Sequence, residues 1–178
     1  KTVHWASHLA RIRDLQKRTG GFTEFVPLPY VHMEAPMYLK GNSRAGPSFR
    51  EAILMHSIAR IIFHGLIENI QASWVKMGTD GVFACLNAGA NDIGGTLMNE
   101  SITRAAGSDH GQEWEPNSME NSLIKMNRKP RMRTTLYKDA PLTQKELAFS
   151  APDLQQVENS KATKLQRSKK LDNLVQVV

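Results

Sequence analysis

Residues 69–100 constrain the fold of this chain more than any other stretch, because apolar segments and chain-breaking residues alternate quickly within them. Residues 69–77 are rich in β-forming side chains and predict a strand. Asp80 is placed to cap a short helix of small residues, and Gly89 to end it. Residues 92–97 predict a second buried strand. Two strands joined by a crossover helix are parallel neighbours, so the stretch predicts a βαβ unit whose ligands lie beyond the carboxyl ends of its strands.

Helical and extended segments also alternate on the N-terminal side of this unit. Apolar residues at three- and four-residue spacing predict a helix over residues 2–18. Residues 22–31 predict a strand that ends near Val26, because the prolines that follow cannot donate ladder hydrogen bonds. The next loop, residues 28–47, is long for a mere connection, and loops of that length tend to be functional or disordered.

Two further helices follow from local patterns. Ser48 and Glu51 form a capping box at the start of a helix over residues 48–66. Its apolar side chains predict one buried stripe, made of Ile53, Leu54, Ile58, Ile61, Ile62 and Leu66. Residues 117–126 predict a short helix, so helices and strands alternate along the chain as in an α/β fold. Three parallel strands leave an exposed edge on each side, and we therefore expect further strands before Lys1.

Composition excludes several classes of protein. The net charge of +6 permits nucleic-acid binding, but the basic residues of 125–133 lack interleaved aromatic side chains, so we expect a solvated surface. No apolar run reaches membrane-spanning length. The single cysteine, Cys85, excludes an internal disulfide and cannot hold a metal cluster alone. Residues 138–178 are polar and mixed in charge, and predict a flexible tail, with a weak helix over 164–178, after a domain over 1–137.

Five segments carry a resemblance to a known family: GGFTEFVPLPYVHMEAPMYLKG, FREAILMHSIARI, NIQASWVKMG, GANDIGGTLMNESITRAAGSDHGQE and PRMRTTLY. Together, over residues 5–137, they resemble the C-terminal part of the hydroxybenzyl-transferring subunit or half of FO synthase, in the radical S-adenosylmethionine superfamily. Related radical enzymes of the menaquinone (futalosine) pathway share the SWV and GANDxxGT patterns. They differ in the loop after the first strand, where VHMEAP and YLKG are more similar to FO synthase.

The resemblance implies a TIM-like (β/α) barrel, of which this chain would supply about three βα units from the C-terminal portion. In that family a CxxxCxxC motif holds a 4Fe-4S cluster that cleaves S-adenosyl-L-methionine. The radical chemistry joins the 4-hydroxybenzyl group of L-tyrosine to 5-amino-6-(D-ribitylamino)uracil, on the way to a deazaflavin cofactor. The implied partners are the missing N-terminal barrel half and the deazaflavin-forming radical enzyme, separate or fused. The three cysteines are absent from this sequence, so we expect the chain to be inactive unless its upstream part is supplied.

This chemistry indicates which residue types should surround the substrates. Neutral hydrogen-bonding groups suit a ribityl chain and a uracil edge. Arg104 or Lys76 suits the carboxylate of tyrosine, and Glu100 suits its ammonium group. The predicted catalytic residues are Glu100, His110 and Glu113. The predicted substrate-binding residues are His32, Gln71, Ser73, Trp74, Asn91, Asp92, Thr96, Asn99 and Arg104.

Several of these residues would also suit purely structural roles, and two different functions stay open. Asn91 and Asp92 are typical of a turn and a strand start, and Trp74 is typical of core packing. Residues 94–96 would bind an anion if the chain were a phosphate-binding barrel enzyme without iron. The chain would have no catalytic role if it were a partner-binding remnant of a barrel. No signal segment is recognisable, so we expect a cytoplasmic location, or an organelle if a transit peptide was lost.

Overall fold

Helices pack on one face of a small parallel sheet. A computed structural model describes residues 1–97 and 99–155, so the predicted helix over 164–178 lies outside the described residues. The helices are α1 (Thr2–Thr19), α2 (Pro36–Leu39), α3 (Phe49–Ile62), α4 (Trp74–Asn87), α5 (Ile102–Ala105), α6 (Pro116–Lys125) and α7 (Leu142–Phe149). The strands are β1 (Glu24–Phe25) and β2 (Asn69–Ile70). An α/β fold is therefore confirmed.

The predicted first helix is confirmed and is tied to the rest of the fold through Gln16. Gly20 ends α1 with a left-handed φ of 61°, which glycine adopts without steric cost. The buried Gln16 side chain donates hydrogen bonds to the carbonyl oxygens of Phe22 (3.0 Å) and Leu66 (2.9 Å). One side chain thereby joins α1 to the start of β1 and to the segment that leads into β2.

The sheet is parallel, as the predicted βαβ pattern requires. Glu24 pairs with Asn69 and Phe25 with Ile70, and α3 makes the crossover between these strands. Beyond β2, Gln71 forms a parallel bridge with a third segment after the crossover through α4. The βαβ order is therefore confirmed, although the strands are much shorter than predicted.

The prediction of a strand over residues 69–77 is wrong after its first residues, because a helix begins at Trp74. Ser73 is the N-cap of α4, and Asp80 lies inside the helix rather than at its cap. Burial explains the difference: Trp74 and Val75 are almost wholly buried in the core. Tertiary packing thus overrides the intrinsic β-propensity of these side chains. Gly78, with φ 66°, kinks the helix between its first turn and the remainder.

The third strand, predicted over residues 92–97, is limited to the single bridge at Asp92. The backbone explains why the ladder stops, because Gly94 (φ 72°) and Leu97 (φ 46°) are left-handed and cannot continue a β-strand. The Gly95 carbonyl oxygen accepts a hydrogen bond from the Trp74 indole nitrogen at 2.9 Å instead of a neighbouring strand. The segment therefore leaves the sheet immediately after its bridge.

The capping box of α3 is confirmed, but its buried face differs from the prediction. Leu54 (45% exposed), Ile58 (47%) and Ile61 (76%) point away from the protein. The buried residues of the helix are Ala52, His56 and Ala59. Since α3 lies between α1 and α4, the face that packs closely carries two alanines and one histidine, and half of the predicted apolar stripe is exposed.

The C-terminal part of the described chain packs against α4. The predicted helix over 117–126 is present as α6, and its apolar side chains pack against the core that contains Trp114. Helix α7, which the polar composition did not predict, lies next to α6 with an ion pair of 3.5 Å between Lys145 and Glu120. Within the described residues, no helix has the length and hydropathy needed to span a membrane.

Candidate functional site

Three polar side chains share the sheet face that carries no helix, which we call the open face. Successive side chains of a β-strand point to opposite faces of the sheet. Phe25, Ile70 and Ile93 point to the face covered by helices, where they belong to the hydrophobic cores. The neighbouring side chains, on Glu24, Gln71 and Asp92, therefore project from the opposite face. Gln71 and Asp92 were predicted as site residues, whereas Glu24 was not.

A hairpin over residues 132–140 lies against the open face and completes a charged network. Its backbone ladder includes a bridge between Arg133 and Asp139. Arg133 Nε donates to Asp92 Oδ2 at 2.5 Å, and Arg133 Nη2 lies 3.6 Å from Glu24 Oε2. The Tyr137 hydroxyl donates to Glu24 Oε2 at 2.5 Å, and its ring stacks 4.0 Å from the Arg133 guanidinium.

The charged network shifts the pKa values of Tyr137 and Arg133. Burial, followed by the hydrogen bond to Glu24, raises the pKa of Tyr137 and keeps its hydroxyl protonated as a donor. Burial opposes the charge of Arg133, but its hydrogen bond and attraction to Asp92 prevail and raise its pKa. Glu24, Arg133 and Tyr137 were not predicted as site residues from the sequence. The sequence offered one indication of their role, because all three residues lie in segments that resemble FO synthase.

A second polar group lies where β2 gives way to α4. Lys76 Nζ donates to the Thr103 hydroxyl at 2.8 Å, and that hydroxyl donates to Glu100 Oε1 at 3.0 Å. The Glu100 carboxylate also accepts the Thr103 amide at 2.9 Å. Arg104 donates from Nε to the Glu100 carbonyl at 2.7 Å and from Nη2 to Asn99 Oδ1 at 3.3 Å. The structure thus brings together four predicted residues, Lys76, Asn99, Glu100 and Arg104.

The two predicted proton-transfer residues His110 and Glu113 have different neighbours. The His110 ring lies against Gly78 at the kink of α4, so closely that a Cβ on Gly78 would be 2.6 Å from His110 Cε1. Glu113 Oε2 accepts the backbone amide of Leu154 at 3.2 Å. No hydrogen bond joins His110 to Glu113 among the described residues, and their proton-transfer role stays a prediction.

His32 lies in the long loop between β1 and α3, which contains α2. Its Nδ1 accepts the Gly46 amide at 3.1 Å, which leaves the ring proton on Nε2 in the neutral form. The ring meets Tyr38 edge to face at 4.6 Å. The same loop reaches the end of α5 through a hydrogen bond of 3.0 Å from the Glu34 amide to the Ala106 carbonyl.

Four other predicted residues have structural partners. Ser73 is the N-cap residue of α4 through its backbone carbonyl, which accepts the Met77 amide at 3.0 Å, and its side chain makes no capping hydrogen bond. Trp74 packs edge to face on Trp114 at 6.2 Å, and the Thr96 carbonyl accepts the Trp114 amide at 3.4 Å. Asn91 Oδ1 accepts hydrogen bonds from Arg60 Nη2 (2.7 Å) and the Ile70 amide (2.8 Å). Ligand contacts by these four residues stay predictions.

The chain bends sharply beyond the third segment. Gly94, Leu97 and Asn99 all have left-handed backbone, with φ of 72°, 46° and 56°. A left-handed leucine costs of order 1–2 kcal/mol, and such residues concentrate at binding and active sites. A cleft of about 730 Å³ borders the same segment, with Asp92, Gly94, Arg133 and Tyr137 among its lining residues.

The residues present do not fit an iron–sulfur cluster. Cys85 is the only cysteine of the chain. It is buried, and burial raises its pKa to about 11, so it is a poor source of thiolate. Among the described residues, no three His, Cys, Asp or Glu side chains are grouped so as to hold a metal ion.

The chain belongs to the family described as the CofH/MqnC C-terminal region, whose profile matches residues 19–146. It is 51% identical over 134 residues to the FO synthase of Mycobacterium leprae, covering 75% of this chain and 16% of that protein. It is 47% identical over 135 residues to the 5-amino-6-(D-ribitylamino)uracil--L-tyrosine 4-hydroxyphenyl transferase of Methanocaldococcus jannaschii, covering 76% of this chain and 38% of that protein. The transferase of the same name from Methanopyrus kandleri is 49% identical over 133 residues, with 75% of this chain and 36% of that protein covered. The chain therefore spans a minor part of each of these relatives, and the predicted resemblance is confirmed.

Proposed function

We propose that this chain is the substrate-facing C-terminal portion of a radical S-adenosyl-L-methionine transferase. That enzyme would join the 4-hydroxybenzyl group of L-tyrosine to 5-amino-6-(D-ribitylamino)uracil during deazaflavin biosynthesis. The observation that carries the proposal is the set of polar side chains at the open face and beyond the strand ends, in a chain whose relatives are named FO synthase and 4-hydroxyphenyl transferase. Ligands of parallel α/β folds bind beyond the carboxyl ends of the strands.

The whole enzyme would be a (β/α) barrel. The parallel order of β1, β2 and the segment at Asp92, with α3 and α4 as crossovers, supports this arrangement. Further strands would pair with the edges of this short sheet, because parallel sheets are normally covered and closed. We place the ligands of the 4Fe-4S cluster in those other parts of the protein, since Cys85 does not suit them. The chain alone would then be inactive. A cytoplasmic location stays a prediction from the sequence.

Tyrosine would bind at the second polar group. Its ammonium group requires a carboxylate, which Glu100 supplies beside the Thr103 hydroxyl. Its carboxylate requires a cation, which Arg104 or Lys76 supplies within the same group. These side chains are held by hydrogen bonds to neighbouring residues, so they would meet the substrate in a defined geometry rather than as mobile surface charges.

The loop that contains His32 would cover the bound substrates. Its hydrogen bond from Glu34 to Ala106 joins it to α5, and Met33 packs against Gly107. Closing the site in this way would exclude water from the reacting groups. His32 would then face the substrates with the N–H on Nε2.

The test combines the chain with the upstream part of the Methanocaldococcus jannaschii transferase, under anaerobic reduction with both substrates. We expect the adduct of tyrosine and the aminouracil to form, as measured by mass spectrometry. Glu100→Gln should lower the rate by about 10- to 100-fold, since it removes the charge that faces the ammonium group. Glu146→Gln, on the exposed part of α7, is the matched control. Full activity of Glu100→Gln would remove Glu100 from the site, and failure of the unmodified protein to form adduct would contradict the proposed function.

A further inference from the structure

The amide group of Gln71 is oriented by two carboxylates. Its Nε2 donates to Glu24 Oε2 at 3.2 Å and, in a longer contact, to Asp92 Oδ1 at 3.5 Å. Rotating the amide by half a turn would place its oxygen against both carboxylates, where neither side could donate. The nitrogen must therefore face Glu24 and Asp92, and the oxygen, Oε1, must face away from them.

The two carboxylates are themselves held in place. Asp92 accepts the Arg133 Nε at 2.5 Å and the Gly94 amide at 2.8 Å. Glu24 accepts the Tyr137 hydroxyl at 2.5 Å. Arg133 and Tyr137 lie on the same hairpin, so one element fixes both neighbours of Gln71. Such a supporting layer is what keeps a recognition group in one geometry.

Gln71 Oε1 is left as an acceptor without a donor in the described part of the chain. It lies against Gly94, where a Cβ would be only 3.1 Å away, and Gly94 lines the cleft of about 730 Å³. The two carboxylates beside the amide accept its N–H groups, whereas Oε1, as an acceptor, pairs with N–H or O–H donors.

We propose that Gln71 Oε1 accepts a hydrogen bond from an N–H or O–H donor of a substrate, and that Arg133 and Tyr137 are positioning residues for it. This inference rests on the proposed function, which limits the donor to two molecules. They are L-tyrosine, with its ammonium and phenol groups, and 5-amino-6-(D-ribitylamino)uracil, with its N–H groups and ribityl hydroxyls. The carboxylate of tyrosine is excluded from this position because it has no hydrogen to donate.

Binding of the two substrates to the chain combined with the upstream part of the Methanocaldococcus jannaschii transferase, measured by titration calorimetry, tests the ligand. Gln71→Met keeps the length of the side chain and removes the acceptor, whereas Gln144→Met makes the same change on the exposed part of α7. We expect Gln71→Met to weaken the binding of one substrate by about 10-fold or more, because the donor of that substrate loses its partner, and to leave the affinity for the other substrate within about 2-fold. The weakened substrate identifies the donor. Unchanged binding of both substrates by Gln71→Met would overturn the inference alone, whereas binding of neither by the unmodified combined protein would overturn the proposed function with it.

Exchange of the Gln71 side-chain amide protons, followed by NMR, tests the positioning without any ligand. We expect these protons to exchange more slowly than those of the exposed Gln144. Tyr137→Phe should accelerate the exchange of the Gln71 side-chain amide protons. It should also lower the affinity for the same substrate as Gln71→Met does, although by a smaller factor. A merely structural role of Tyr137 would instead leave the affinity of the folded protein unchanged. Equal exchange at Gln71 and Gln144 in the unmodified chain would overturn the fixed orientation.

Discussion

The ion pair between Asp92 and Arg133 should contribute more to stability than any exposed pair on the same hairpin. The Asp92 side chain is 8% exposed and that of Arg133 is 24% exposed. Asp92→Asn keeps the shape but removes the charge and leaves one acceptor oxygen. The two carboxylate oxygens now accept Arg133 Nε on one side and the Gly94 amide, with the longer Gln71 contact, on the other. The hairpin would then be held to the open face through Glu24, which accepts the Tyr137 hydroxyl at 2.5 Å and lies 3.6 Å from Arg133.

The expected cost is about 2–3 kcal/mol. A hydrogen bond to a charged group is worth about 1.5–3 kcal/mol, and breaking a fully buried ion pair costs about 3–5 kcal/mol. Because Arg133 is partly exposed, the cost of breaking this ion pair should be smaller than the about 3–5 kcal/mol of a fully buried pair. With a urea m-value of about 2 kcal/mol/M, the midpoint of unfolding should fall by about 1–1.5 M.

Urea unfolding followed by tryptophan fluorescence measures this shift. Asp139→Asn is the matched control, because Asp139 pairs with Arg131 at 3.5 Å on the same hairpin with both side chains more than half exposed. Exposed pairs of this kind contribute about 0–1 kcal/mol. If Asp92→Asn and Asp139→Asn lower the midpoint equally, the ion pair does not hold the hairpin on the sheet and the reasoning fails.

Gly78→Ala should lower the free energy of unfolding by about 1–3 kcal/mol more than Gly65→Ala, because both positions have left-handed backbone but only Gly78 faces the His110 ring. Equal losses in urea unfolding would show that the ring moves away freely. Burial raises the pKa of Cys85 to about 11, so its thiol should react with iodoacetamide at pH 8.5 only after unfolding, and its contribution to stability should be lost as pH rises through 9 to 11. Burial lowers the pKa of His56, so its contribution is present above its ordinary value of 6.5 and is lost as pH falls. His56→Gln should therefore flatten the decline of stability between pH 7 and pH 5, and an unchanged decline would contradict burial of a neutral ring.

The start of α3 and the end of α1 could be predicted from the sequence, because the interactions that determine them are local. Ser48 and Glu51 are three residues apart, and each satisfies a backbone amide at the start of α3. Gly20 ends α1 with its own backbone conformation. The parallel order of the strands also followed from local patterns, since a helical crossover between two strands allows little else.

The lengths of the strands could not be predicted in the same way. Trp74 has a high β-propensity, yet it begins a helix because its ring is buried against Trp114 and its indole nitrogen reaches the Gly95 carbonyl. The left-handed Leu97 that follows the third segment has no signature in the sequence, because leucine rarely adopts that conformation. Both features depend on neighbours that are distant along the chain.

The family, the α/β class and the choice of Gln71 and Asp92 as candidate site residues all follow from the order of the residues, although the sequence placed Gln71 inside a strand and Asp92 at the start of one. The folded chain was needed to show that Glu24, Arg133 and Tyr137 surround them, because Tyr137 and Glu24 are 113 positions apart and neither lies in a pattern that points to the other. Local spacing describes interactions between near neighbours, whereas a charged network forms wherever the folded backbone brings donors and acceptors within about 3 Å. This part of the site could not be predicted because its hydrogen bonds close only after the hairpin has packed on the sheet.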